Sequence, residues 1–222
     1  MIRKGIIVTR DGLRILGGQG SGNFGHAGIP GQRGGSAAGT GGGGGGSSGR
    51  IPQKFTSTKE DYFQPSDFTD DGFSEDQAGA IIYYKEEGFA EMRKVLTGKS
   101  QDPKATKAIK DLDSAIDVSE LPEDVTVYHG MGEREAAKFD KLKPGSEFTY
   151  GGFYSTSRQE EVGNKYAEGK RVLKINSKAG QKGIYTKDPD YEDEVIFGRG
   201  TTYSVTDVYE KGGITYYETE IR

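Results

Sequence analysis

Between residues 17 and 49 about half of the chain is glycine, and residues 41 to 46 are six glycines in succession. Glycine brings no apolar area and loses the most backbone freedom on ordering, so no compact core can form there. The stretch is read as a flexible linker over residues 17–50, and whatever folds must lie on either side of it. Ahead of it, residues 5–16 (GIIVTRDGLRIL) set two short apolar runs around Asp11-Gly12, the pattern of a β-hairpin appendage over residues 1–16. Behind it, residues 51–222 are long enough to bury an ordinary core. Phe24 and His26, isolated among glycines, are assigned to the linker.

The charges are mixed and sum to only −4, which excludes the basic field of a nucleic-acid binder. With no cysteine there can be no disulfide or thiolate metal site, and with only His26 and His129 no multi-histidine zinc site, so no metal is expected. No apolar run reaches the roughly 20 residues of a membrane-spanning helix. The opening MIRKGIIV is too short and too soon interrupted by charge for a secretory signal. Folding in the cytosol is therefore expected, with export by a route that needs no cleaved signal left open.

Within residues 51–222, helices come first and strands afterwards. Ser74-Glu75-Asp76-Gln77 is a capping-box pattern, and an apolar stripe of Ile81, Ile82, Tyr84, Phe89, Met92 and Leu96 predicts a helix from there to about residue 96. Gly98-Lys99-Ser100 is not the end of a phosphate-binding loop, because Arg93 stands at the first glycine position and no strand precedes it. Asp102-Pro103 opens a second helix that reaches about residue 116. A strand at 125–128 runs into His129-Gly130, a short helix covers 133–140, and 148–157 is a strand or a bent pair of strands. Ser157-Arg158-Gln159-Glu160 reads as another capping box, starting a helix over 158–168. Strands follow at 171–176, 183–186, 194–197, 202–209 and 214–220. This order predicts an α+β domain with a mainly antiparallel sheet.

Three short motifs carry chemistry. In Glu192-Asp193-Glu194 strand alternation puts the two glutamates on one face and Asp193 on the other. Like charges held side by side at the edge of a core are costly, and paired acids with different tasks are one reason to keep them. A solvated loop entering a strand is the plainer explanation. Ser155-Thr156-Ser157 sits at a strand end, with Ser155 and Ser157 on one face; it fits a polar strand end or a helix cap equally well. His129, after a strand, fits a satisfied turn histidine as well as a site residue.

Taken in order, these motifs resemble the mono-ADP-ribosyltransferases of the arginine-serine-glutamate class, over residues 74–220. Residues 121–130 (LPEDVTVYHG) are similar to the first motif of that family, Gly152-Phe153-Tyr154-Ser155-Thr156-Ser157 to its Ser-Thr-Ser motif, and Glu192-Asp193-Glu194 to its Glu-x-Glu motif. The resemblance implies helices packed on a mainly antiparallel two-sheet core, and transfer of ADP-ribose from NAD to arginine on a target protein. It makes Glu194 the carboxylate that stabilises an oxocarbenium-like ribose, a charge pattern shared with glycoside hydrolysis. Ser155 would orient Glu194, Thr156 would brace the strand from the other face, and Glu192 would handle the acceptor guanidinium. Tyr128, His129, Gly130, Thr156, Ser157, Tyr166 and Arg171 are implied on the NAD side. Tyr191 and Tyr185 are implied on the protein-substrate side, with a core position for Tyr185 and a place on the buried side of its helix for Tyr166 left open. His129 stands where the family has arginine, so a neutral imidazole is expected in place of a permanent cation; a histidine followed by glycine is usual in the related poly-ADP-ribose polymerases. An NAD glycohydrolase using the same site and a catalytically degenerate interaction module are the alternatives. The segment GSGNFGHAG resembles segments of tailed-phage head proteins. That implies a phage particle as partner and delivery with the virion into the host-cell cytoplasm, with a secreted toxin as the alternative.

Overall fold

A computed structural model describes residues 50–53, 55, 63–187 and 192–222, together with the backbone of residues 5–9 and 12–16. The linker with Phe24 and His26, and the loop residue Tyr191, lie outside the described residues.

The helices come first, as the sequence order predicts. α1 (Ser66–Thr69) is followed by α2 (Glu75–Tyr83), a π-turn (Tyr84–Gly88) and α3 (Phe89–Leu96). The capping box forms: Ser74 Oγ accepts from the Gln77 amide at 3.2 Å, and Gln77 Oε1 accepts from the Ser74 amide at 2.8 Å. The single helix expected over 74–96 is instead interrupted by the π-turn, which inserts extra residues into one turn and resets the helical face. Gly88 permits this, since a Cβ there would lie 2.3 Å from a ring carbon of Tyr83 and 2.7 Å from its carbonyl oxygen. Tyr84 is thereby buried and Phe89 exposed. α4 (Pro103–Val118) starts as read, with Asp102 accepting from the Ala105 amide at 2.6 Å.

The strands are β1 (Gly5–Thr9), β2 (Gly12–Leu16), β3 (Ile51–Pro52), β4 (Ser119–Glu120), β5 (Val125–Met131), β6 (Glu147–Thr149), β7 (Tyr154–Ser157), β8 (Arg171–Ser177), β9 (Ile184–Tyr185), β10 (Glu194–Phe197), β11 (Thr202–Lys211) and β12 (Ile214–Ile221). α5 (Glu133–Phe139) follows β5, and α6 (Glu160–Lys165) follows β7. Ten strands form one ladder in the order β2-β1-β6-β11-β12-β8-β5-β7-β10-β9, while β3 pairs with β4. Only β1–β6 and β12–β8 are parallel within that ladder. β5 and β7 meet at a single residue pair, Tyr128 with Ser157. That joint is where the two expected sheets touch, β7-β10-β9 on one side and the longer run from β5 on the other. Residues 148–157 are thus two strands on different parts of the ladder.

Alternation along the short sheet separates two cores. Tyr154, Val195, Phe197 and Tyr185 face a cluster shared with Val127, Met131, Leu173 and Ile175. Ile184, Ile196 and Phe153 face the helices, against Ile81, Tyr84, Leu112 and Ile116. β7-β10-β9 is therefore buried on both faces, and a polar side chain on it is held where water is scarce. Among the described residues no helix is long and apolar enough to cross a membrane.

Candidate active site

β10 pairs with β7 so that Glu194 lies opposite Ser157 and Ile196 opposite Ser155. Ser155, on the same face and one step along the diagonal, donates its hydroxyl to Glu194 Oε1. Glu194 is 3% exposed. Glu192 belongs to the turn before β10, and Asp193 between them takes a left-handed φ of +46°. That turn keeps both glutamates on one side and sends Asp193 to the other, where its carboxylate accepts from the Tyr185 hydroxyl at 2.9 Å and lies 3.5 Å from the Arg158 guanidinium.

The two glutamates converge on Lys85, which the π-turn presents. Its Nζ is 2.6 Å from Glu192 Oε2 and 3.3 Å from Glu194 Oε2, and its side chain is 9% exposed. The other oxygen of Glu192 accepts from the Tyr166 hydroxyl at 3.0 Å. Each carboxylate therefore has one oxygen on a hydroxyl and the other on the same ammonium. Tyr84 lies beside them; burial, and after it the Glu194 charge, pushes its phenol well above the ordinary tyrosine range, so it stays protonated.

His129 stands behind Ser155 rather than against Glu194. Its Nδ1 donates to the Ser155 carbonyl at 2.7 Å, and its Nε2 lies 3.1 Å from Glu135 Oε2. Glu135 also accepts from the Tyr154 hydroxyl at 3.0 Å, and the His129 and Tyr154 rings are 4.3 Å apart. Burial works against the imidazolium, but the Glu135 carboxylate and the Ser155 carbonyl outweigh it and hold the His129 pKa above its ordinary value. Burial likewise opposes the Glu135 carboxylate, yet His129 and the Tyr154 hydroxyl bring its pKa below normal. The carbonyl accepts from Nδ1, and the Glu135 carboxylate beside Nε2 favours the imidazolium over the neutral ring that the sequence suggests.

Other sequence-derived assignments shift. Tyr128 alternates to the face opposite His129 and abuts α6. At Gly130 a Cβ would fall 2.2 Å from the Gly163 carbonyl and 2.6 Å from the Ala167 amide, so glycine there lets residues 163–167 press on β5. Thr156 braces the strand as read, donating to the Val195 carbonyl at 2.7 Å. Ser157 accepts from the Gln159 amide at 2.9 Å and does not cap a helix; α6 begins later and is shorter than the expected 158–168, because Ser157 is still a strand residue. Thr156 and Ser157 are both buried in the fold, as Glu194 is. Tyr185 is 1% exposed and donates its hydroxyl to Asp193, which is the core position left open for it. Arg171 turns to Asp140, at 3.0 Å, and is not among the residues gathered around Glu194. Tyr166, placed just past α6, is 45% exposed and does join the site.

Sequence reading missed Lys85, Glu135 and Arg93. Lys85, Phe89 and Arg93 recur every four residues, a polar-and-aromatic face on the helix whose apolar stripe drew attention instead. Phe89 packs edge-on against Tyr84 with centroids 5.5 Å apart and leaves its own ring exposed. Exposed Arg93 is near enough for its charge to act on Tyr84, His129, Glu135 and Tyr150. The result is a site with two carboxylates, two exposed aromatic rings (Phe89 and Tyr166) and an exposed cation. Such a set suits a ligand that carries a phosphate, flat rings and a developing positive charge.

The family model described as ADP-ribosyltransferase exoenzyme matches residues 53–220. An NAD(+)-arginine ADP-ribosyltransferase of Enterococcus faecalis, named EFV, is 28% identical over 167 residues, which is 67% of this chain and 33% of the relative. The chain thus matches about a third of that protein's length. Among solved structures, the ADP-ribosylating toxin BECa of C. perfringens with NADH has a TM-score of 0.56 at 17% identity, covering 68% of this chain and 44% of that one. The Vis ADP-ribosyltransferase of Vibrio splendidus, in complex with agmatine, has a TM-score of 0.54 at 19% identity, covering 71% and 82%. The extent of the family match shows that this chain belongs to the ADP-ribosyltransferase exoenzyme family.

Proposed function

We propose that the chain transfers ADP-ribose from NAD to an arginine side chain of a protein, releasing nicotinamide. The observation that carries this is the pair Glu192 and Glu194, turned to one side, with the inner carboxylate buried and oriented by Ser155. As the bond between the ribose C1′ and the pyridinium nitrogen breaks, its electron pair leaves with nicotinamide and positive charge gathers on the sugar. Glu194 stabilises that charge and accepts from the ribose 2′-hydroxyl; the interaction is stronger in the transition state than in the ground state. A guanidinium nitrogen of the acceptor attacks C1′ and its proton passes to Glu192, whose planar carboxylate suits the guanidinium fork. Arg93 meets the NAD phosphates, and the exposed rings of Phe89 and Tyr166 offer faces for the nicotinamide or adenine. His129 acts through Ser155, holding its carbonyl while the serine hydroxyl holds Glu194.

The E. faecalis relative, named for arginine as acceptor, supports the choice of acceptor. A second reading, NAD hydrolysis by water, is favoured by Lys85, which holds Glu192 where an acceptor guanidinium would sit. Labelled NAD incubated with cell lysate separates the two, using wild type, Glu192→Ala and Glu194→Ala. Label on protein, removed by an arginine-selective chemical release and lost in both variants, is the expected outcome. Free ADP-ribose without protein label, surviving Glu192→Ala but not Glu194→Ala, would make the enzyme a glycohydrolase.

A further inference from the structure

Lys85 comes from the π-turn, yet its ammonium lies between two carboxylates more than a hundred positions later in the chain. Long side chains lose much rotamer freedom when fixed, and an ammonium held with its side chain 9% exposed must be matched by partners. It stands in the first half of the π-turn, directly after α2. The groups facing it there are Glu192 and Glu194, with the Tyr166 and Ser155 hydroxyls on the carboxylates' other oxygens and the Tyr84 phenol alongside. A cation bridging those two carboxylates occupies the place where a guanidinium donating to Glu192 would lie.

From this we infer that Lys85 is a positioning residue with a second role as an internal competitor. It aligns Glu192 with Glu194 in the free enzyme and yields Glu192 to the cationic acceptor when that arrives. The inference rests on the arginine-transfer reading above. It makes acceptor affinity a balance between the Lys85 ammonium and the incoming guanidinium. Lys85 thereby discriminates against weak or neutral acceptors, which cannot displace an ammonium from a carboxylate.

The test uses the full chain as wild type, Lys85→Met and Lys85→Arg, with agmatine as a small guanidine probe. Three quantities are read: nicotinamide release with water as acceptor, transfer to agmatine over a concentration series, and agmatine binding by calorimetry without turnover. In Lys85→Met the water reaction should slow about tenfold, because the carboxylates lose their alignment. Half-saturation by agmatine should fall about fivefold, because the competing ion pair is gone. Saturating agmatine should return turnover towards wild type, and Lys85→Arg, which keeps a competing cation, should not lower half-saturation by agmatine. A purely structural lysine would lower both reactions in parallel and leave half-saturation unchanged, and that result overturns the inference. If wild type modifies no guanidine at all while calorimetry still shows tighter agmatine binding to Lys85→Met, the arginine-transfer reading falls and the competitor role stands. Equal affinities, or no binding to either protein, removes the competitor role. Should Lys85→Met fail to fold, Lys85→Gln keeps a donor without the charge and carries the same expectations.

Discussion

His129 and Glu135 face each other behind the candidate catalytic strand, with Nε2 and Oε2 3.1 Å apart and both side chains mostly shielded from solvent. Through the Ser155 carbonyl this pair reaches the strand that carries the Glu194 contact. The signs of its two shifts set a pH window. The His129 pKa is raised above 6.5, so its share of stability is complete below that value and is lost as pH climbs through the raised one. The Glu135 pKa is lowered from 4.5, so its share is complete above that value and is lost as pH falls through the lowered one. Urea unfolding should therefore show a smaller free energy at pH 8.5 than at pH 5.5. Glu135→Gln should cost ~1–3 kcal/mol at pH 5.5 and shrink the difference between the two pH values. Parallel pH curves for the two proteins would mean that the pair does not titrate as a unit.

Gly130→Ala tests the close approach of residues 163–167 to β5. The added Cβ would meet backbone atoms of residues 163, 166 and 167 at 2.2–2.6 Å, and backbone cannot move aside as a flexible side chain can. A loss of about 1–3 kcal/mol is expected from overpacking, read as a lower urea midpoint. Because Tyr166 sits in the displaced segment, NAD turnover should fall as well. An unchanged midpoint would show that this segment docks loosely.

Ser155→Ala and Tyr166→Phe each remove one hydroxyl, from Glu194 and Glu192 respectively. Nicotinamide release without acceptor should drop about 10–100-fold in Ser155→Ala, because the inner carboxylate loses its orientation. Tyr166→Phe should leave that reaction within about threefold and instead change half-saturation for a guanidine acceptor. Steady-state kinetics with water and with agmatine compares the two. Equal effects of both variants on both reactions would erase the division of labour between the glutamates.

Gly88→Ala addresses the π-turn. The methyl group would collide with the Tyr83 ring and carbonyl. Helix 75–96 would have to unwind locally or revert to an uninterrupted α-helix, and either outcome moves Lys85 away from Glu192. Stability should fall by about 1–3 kcal/mol. The kinetic pattern should resemble that of Lys85→Met, with slower acceptor-free turnover and tighter agmatine half-saturation. Wild-type kinetics in a folded Gly88→Ala protein would show that the turn does not aim the lysine.

Local patterns were legible because local physics makes them. The Ser74 capping box, the Asp102-Pro103 start of α4 and the alternation that puts Glu192 and Glu194 on one side all follow from residues a few positions apart. The helix-first order gave the α+β class, and the three motifs pointed to the carboxylate pair. The capping box expected at Ser157 failed for a tertiary reason. Pairing with Glu194 keeps Ser157 in β7, so the helix begins three residues later. The raised pKa of His129 depends on Glu135, which the folding of α5 against β5 and β7 brings to its ring. Likewise no periodicity announces that Lys85 meets Glu192 and Glu194. Sequence spacing specifies which face a side chain takes on its own element. Which distant charge waits on that face is decided when the elements pack, because electrostatic partners are chosen by distance and burial.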